Sequence, residues 1–210
     1  MTDTEILNQL QDALMEPRND GATWPSGLWT VSEVLANLNE RQNRFLKSTQ
    51  LQVGLADLTV TAGVGRYALP DDWLTTVDVY WRTSTGTLTA LDRADSFEAD
   101  HGLPTWGFTR GTPILYMDED SPLLQIQIAP IPDVDGRLLL LYIPQAAPLD
   151  GSQELFTVPN EYVHAVGKYG TLADLFGKDG RGANPEKAAY CEGRYRLAEE
   201  MARILLNGWT

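Results

Sequence analysis

The side chains able to do chemistry in this 210-residue chain are few and scattered. His101 and His164 are the only histidines, and neither has a second ligand at metal-binding spacing. His164, two residues after Tyr162, reads as a packing or hydrogen-bonding residue. The single cysteine, Cys191, cannot form an internal disulfide, and its place on an apolar helix stripe marks it as a core thiol. Gly63-Val64-Gly65 has the glycine pattern of a phosphate loop, but no helix follows to aim amide groups at an anion, so it reads as a hairpin turn. Gly177 to Gly182 does precede a helix yet lacks the Gly-Lys-Ser/Thr ending, which makes it an interhelical elbow. Asp118-Glu119-Asp120 runs into Ser121-Pro122 between two strands and predicts an exposed hairpin tip; a calcium site would need more oxygen ligands from elsewhere. No serine sits in a nucleophile elbow and no carboxylates are paired. The expectation is a protein without catalytic residues, metal or cofactor.

Binding is the remaining possibility. Sixteen basic residues against 29 acidic ones give a net charge of −13, which argues against a cationic nucleic-acid footprint. It suits a surface that nucleic acid passes without adhering. Six tryptophans (Trp24, Trp29, Trp73, Trp81, Trp106 and Trp209) are many for this length. Some belong in a core, and aromatic residues also serve protein interfaces and carbohydrate sites. Arg203, Ile204, Leu205 and Leu206, followed by Asn207-Gly208 and Trp209, form a candidate docking end: three consecutive apolar residues cannot all face one helix partner. Trp209 either anchors there on another chain or folds back on its own β block. Apolar runs are short, so no membrane span or signal peptide is expected, and the chain should fold in a reducing cytoplasm.

These residues need a scaffold. Thr2-Asp3-Thr4-Glu5 is a capping box opening a helix with Ile6, Leu7, Leu10 and Leu14, which Pro17 ends. Thr30-Val31-Ser32-Glu33 opens a longer one, reaching about Leu51, with Val34, Leu35, Leu38, Phe45 and Leu46 on its apolar side. Its other side carries Asn39, Glu40, Arg41, Asn43, Arg44 and Lys47, which predicts a polar face. Between Ala56 and Pro144 the period drops to two, giving seven or eight short strands (Trp106 to Thr109 among them) and one helix over Asp95–His101. Pro144 to Gln153 reads as a linker. Beyond it, Tyr162, Val166, Tyr169, Ala173 and Phe176 mark one helix, and Ala188, Cys191, Tyr195, Ala198, Met201 and Leu205 mark a second. The predicted fold is α+β: a helical bundle from both chain ends, residues 1–55 and 151–210, with an antiparallel β-sheet or sandwich inserted as residues 56–150.

The order of these pieces resembles tailed-bacteriophage head-to-tail adaptor (connector) proteins. The resemblance rests on Asn39-Glu40 and Gln42 within the Leu35–Phe45 helix, and on Tyr67-Ala68-Leu69-Pro70-Asp71-Asp72 entering a valine-rich strand. It continues through Gly102-Leu103-Pro104, Ile126-Gln127-Ile128-Ala129-Pro130-Ile131-Pro132, Leu139-Leu140-Leu141-Tyr142 and the helix start Val158 to Ala165, covering about Trp29 to Leu205. It implies a structural virion protein of the neck, assembled in the host cytoplasm, in a closed ring of about twelve subunits. Its implied partners are the portal protein, a tail, nozzle or stopper protein, further copies of itself, and double-stranded DNA passing through a channel without specific binding. No membrane, catalytic residue or cofactor is implied. Phe45, Leu46, Tyr162, Tyr169 and Tyr195 are candidate intersubunit helix faces, and Arg203–Leu206 with Trp209 the candidate portal contact. The alternative is a carbohydrate- or receptor-binding tail accessory using the tryptophan-rich β block.

Overall fold

A computed structural model describes residues 1–103, 105–118 and 124–207. The chain divides into two compact units, residues 1–51 with 145–210, and residues 52–144.

In the helical unit, α1 (Asp3–Ala13) starts at the capping box, with both reciprocal bonds between Thr2 and Glu5 present. Helix α2 (Val31–Thr49) is capped by the Thr30 hydroxyl alone and ends at Gln50 in a left-handed conformation. The core joins Ile6, Leu7 and Leu10 to Trp24, Trp29, Val34 and Leu38, and these to Phe156, Leu172, Leu175 and Cys191.

The face of α2 expected to be polar keeps Glu40, Arg44 and Lys47 exposed, but beside them runs a buried seam. Gln42 is fully buried and Arg41 nearly so. Asn39 donates to the Leu149 carbonyl at 2.9 Å and accepts from the Leu149 amide at 2.7 Å. Asn43 accepts from the Ala146 amide, and Gln42 from the Thr157 amide. On the other side, Asp3 accepts from the Gly151 amide while its own amide donates to Glu154. The stretch expected to be a linker is therefore held to α1 and α2 by side-chain amides and a carboxylate, which satisfy backbone groups that no sheet or helix does.

After Pro159 the chain is α-helical over α4 (Asn160–Val163), π-helical over His164–Gly170, and α-helical again over α5 (Thr171–Gly177). The i→i+5 pattern adds a residue per turn and rotates the inward face. Val163, Val166, Gly167, Gly170 and Thr171 are buried, while Tyr162 and Tyr169 of the expected stripe are only half-buried. Close approach requires the glycines: a Cβ on Gly170 would lie 3.1 Å from both Arg41 Cδ and Tyr195 Cδ2. The glycine-rich elbow follows, closed by the Asn184 amide donating to the Phe176 carbonyl, and the Asn184 side chain caps α6 (Pro185–Asn207).

Arg41 ties these helices together. Its Nε and Nη2 donate to the two oxygens of Asp174 at 2.7 and 2.5 Å, and Nη1 donates to Glu192 at 2.7 Å. The guanidinium also lies 4.8 Å from the centre of the Tyr195 ring. Burial alone would lower its pKa, but the bonds to Asp174 and Glu192 win and raise it.

The second unit is a block of short strands, β1 (Gly54–Val60), β2 (Arg66–Ala68), β3 (Trp73–Thr83), β4 (Leu88–Ala90), β5 (Asp92–Arg93), β6 (Arg110–Gly111), β7 (Leu115–Met117), β8 (Gln125–Ala129), β9 (Ile131–Pro132) and β10 (Gly136–Pro144). They form sheets in the orders β1-β10-β3-β4, β2-β8-β7-β5 and β6-β9. Pairing is antiparallel except for β5 with β7 and β6 with β9. Val60, Val79, Trp81, Leu138 and Leu140 pack with Ile126, Ile128 and Tyr116 in its core. Gly136 is required by Trp81, whose Cη2 would stand 2.5 Å from any Cβ there. The fold is thus α+β with an inserted sheet block. Helix α3 (Ser96–Gly102) carries a complete capping box between Asp95 and Glu98. Residues 105–108 form a turn, not the expected strand, with Thr105 at φ 77°.

Replacing Arg41 by Ala leaves Asp174 and Glu192 without their cation and should lower unfolding stability by about 3 kcal/mol. Urea denaturation measures this; a loss below about 1 kcal/mol would remove Arg41 as the tie of the helical unit.

Candidate functional site

Among the described residues, the chemistry-bearing side chains do not converge. His101 bonds the Phe97 carbonyl and stacks on the Phe97 ring at 4.2 Å. Cys191 is buried, which pushes its thiol pKa up and away from the reactive thiolate. Asp118 is not the solvated tip that the sequence predicts: its side chain is 2% exposed and bonded to Arg93 at 3.0 Å. Glu119 and Asp120 lie outside the described residues, as does Trp209. Among the described residues, no group of His, Cys, Asp and Glu is placed to hold a metal ion.

The feature that calls for a partner is α6. Its inward stripe is Cys191, Tyr195, Ala198 and Ala202, all buried. Ala202 takes the place expected for Met201. A second apolar stripe faces outward at helical spacing: Tyr190 (61% exposed), Leu197 (48%), Met201 (53%) and Ile204 (70%), with Leu205 beside it (57%). The sequence places Met201 and Leu205 inside because α6 carries two apolar faces, and a period alone cannot say which one the fold covers. The missed signal is Ala202, small enough for close packing.

Leu197, Ala198 and Met201 form one wall of a groove of about 240 Å³, and Tyr162, His164 and Tyr169 form the other. The rings make edge contacts, His164 on Tyr169 at 5.3 Å and Tyr169 on Tyr190 at 6.3 Å. Arg194 lies 5.5 Å and Lys168 6.0 Å from the Tyr169 ring centre. Partial burial lowers the His164 pKa, and the charges of Lys168 and Arg194 lower it further, so the ring stays neutral near pH 7.

Of the residues expected at intersubunit faces, Tyr162 and Tyr169 line this groove. Phe45, Leu46 and Tyr195 do not reach the surface: all three are fully buried in the core of their own unit. Tyr195 sits there because Arg41 stacks on it, and Phe45 packs 5.3 Å from Tyr162 and 6.3 Å from Tyr195. At the docking end Ile204 and Leu205 are exposed and Leu206 is half-buried, while Arg203 donates to the Ser48 carbonyl at the end of α2.

The profile of the SU10 adaptor protein family matches residues 1–207. The chain belongs to the SU10 adaptor family. This is a family of phage head-to-tail adaptors, structural proteins and not an enzyme class. No curated protein sequence matches the chain. Membership accords with a surface that offers a groove and an apolar helix face rather than convergent catalytic groups.

Replacing Leu197 and Met201 together by Ser should change the stability of this SU10 adaptor family member by no more than about 0.5 kcal/mol, as expected of exposed positions. Ala202→Leu, on the buried stripe, should cost about 1–3 kcal/mol by overpacking. Thermal and urea unfolding of the two variants check the inward and outward assignment.

Proposed function

We propose that the protein is the neck adaptor that joins the portal to the tail-side nozzle or stopper, as a ring of about twelve copies lining part of the DNA channel. The observation that carries this reading is the outward apolar stripe of α6. A helix whose inner face already completes a core has no internal use for Leu197, Met201, Ile204 and Leu205 at 48–70% exposure. Such a stripe is stable in water only at a cost that docking removes. Its far end, Ile204 and Leu205 with Arg203 and Leu206, is the portal contact in this reading, and Trp209 its terminal anchor.

Charge supports the channel role. A wall of copies each carrying −13 repels the DNA backbone instead of binding it, so the genome slides. No helix among the described residues is long and apolar enough to cross a membrane. Host cytoplasm is the site of assembly in this reading, and the virion neck the final location. The tail-accessory reading has one observation of its own in its favour: a cleft with Arg66, Gln127, Asp100 and Trp106, beside Phe108 at 89% exposure. Aromatic rings beside planar polar groups suit a sugar, and a measurable affinity for glycans without portal binding would favour it.

Light scattering should find the free protein monomeric, because like charge opposes self-association at low salt. Mixing with the portal of the same phage should produce rings on portal particles in electron micrographs, and Ile204→Asp with Leu205→Asp should weaken attachment at least about tenfold (1.4 kcal/mol). A portal that recruits no copies of the wild-type protein overturns the proposal. Separately, filter binding to double-stranded DNA at physiological salt should give no Kd tighter than about 10⁻⁶ M, the edge of ordinary non-specific binding; tighter binding would contradict a sliding wall.

A further inference from the structure

In a chain of −13, the groove on α6 is a cationic exception. Lys168, Lys187 and Arg194 are close enough to share targets: Lys168 and Arg194 both act on His164, and Lys168 and Lys187 both act on Cys191. Most other arginines are committed: Arg18 to Asp12, Arg41 to Asp174 and Glu192, and Arg82 and Arg137 to Asp57. Arg194 lines the groove, where Glu161 is the lining carboxylate, and Lys168 and Lys187 stand outside that lining; among the described residues none of the three forms an ion pair. Their partners are aromatic faces, with Lys168 and Arg194 near Tyr169 and Lys187 5.2 Å from the Phe176 ring centre. Cations resting on rings at the rim of an apolar groove fit an occupant that brings carboxylates around an apolar or aromatic knob.

The groove fits that description poorly for itself. Two copies packed groove to groove would offer each Arg194 and Lys168 only the mate's Glu161 as a lining carboxylate, and would bring cations from both copies into one desolvated contact. The same chain does carry the complementary surface. On α3, Phe97 is 68% exposed, with the His101 ring tilted against it at 4.2 Å. Asp95, Glu98 and Asp100 surround it, all exposed. The β unit that presents them holds thirteen carboxylates against five arginines and no lysine, a formal −8 of the −13.

We infer that the groove formed by Tyr162, Tyr169, Arg194, Leu197 and Met201 receives the acidic α3 knob, Phe97 with Glu98 and Asp100, of a second copy of this chain. The contact is head-to-tail: each copy offers a groove with a cationic side and an acidic knob, and repetition of one such contact on a portal template builds a ring when its rotation closes. It rests on the adaptor reading and names the surface through which neighbours in that ring meet. Charge also sets the order of events, since the attraction between knob and groove is local while the net repulsion between free copies is global. A portal that holds copies side by side converts the first into an intramolecular-like contact.

The test uses full-length protein and portal particles of the same phage. Wild-type protein with p-benzoyl-phenylalanine in place of Leu197 is loaded on the portal and irradiated. The expected product has twice the 23.3 kDa chain mass, with the crosslink in the peptide that contains Phe97. Arg194→Glu alone and Glu98→Arg alone should each reduce the number of copies retained at a fixed concentration at least fivefold, and the two together should restore retention to within about twofold of wild type. Crosslinks to the portal or to DNA instead, or failure of the charge swap to restore loading while wild type loads normally, would overturn this contact and leave the adaptor reading standing. Failure of wild type itself to load would overturn both.

Discussion

A buried arginine is tolerated only where every donor finds an acceptor, and Arg41 sets the terms for the rest of the helical unit. Its fork takes both oxygens of Asp174 on α5 and one of Glu192 on α6, so it fixes three helices in register at once. The geometry leaves no room for a side chain at Gly170 and puts Tyr195 flat beneath the guanidinium. The π-helical stretch before α5 serves the same arrangement: Gly170, not a bulky residue, stands where Arg41 and Tyr195 meet, and Gly167 stands against Phe156 and Ile6. With the inner side of α6 committed to that arrangement, its remaining apolar residues are necessarily outside.

Local signals in the sequence were readable where the physics is local. Thr2 with Glu5, and Asp95 with Glu98, announce helix starts through reciprocal bonds spanning three residues, and both are present. The alternation from Thr75 to Trp81 likewise marks the long strand β3. Where the deciding partner lies far along the chain, the reading failed. Asn39, Arg41 and Asn43 read only as a polar face because their partners lie more than a hundred residues away. A π-helical insertion has no compositional mark, so the sequence puts the stripe through Tyr162 and Tyr169 one step out of phase. It puts Phe45, Leu46 and Tyr195 at intersubunit faces for a related reason: an apolar helix face shows that it is covered, not by whom. The groove itself was legible only as two tyrosines. Its cationic rim emerges when Lys168, Lys187 and Arg194, spread over two helices, come together.

The distribution of charge separates two tasks that a conduit protein must reconcile. Repulsion of DNA requires a broad excess of carboxylates, yet subunits and partners have to adhere. Gathering Lys168 and Arg194 around the Tyr169 ring allows adhesion there without giving the whole surface a basic character that would hold the genome. Salt then weakens both tasks, screening the local attraction between subunits and the general repulsion of DNA alike.

The sheet block begins with β1 at Gly54 and ends with β10 at Pro144, and these two strands are hydrogen-bonded neighbours with Gly54 opposite Tyr142. The chain thus leaves the helical unit and returns to it through two points already clasped side by side. For the helices, the whole insertion behaves as one closed turn: its length hardly enters the entropy of joining α2 to the stretch that Asn39 and Asn43 hold. A block attached in this way is free to be enlarged, trimmed or exchanged over generations while the helical frame stays the same, which gives such a protein a fixed socket and a replaceable head.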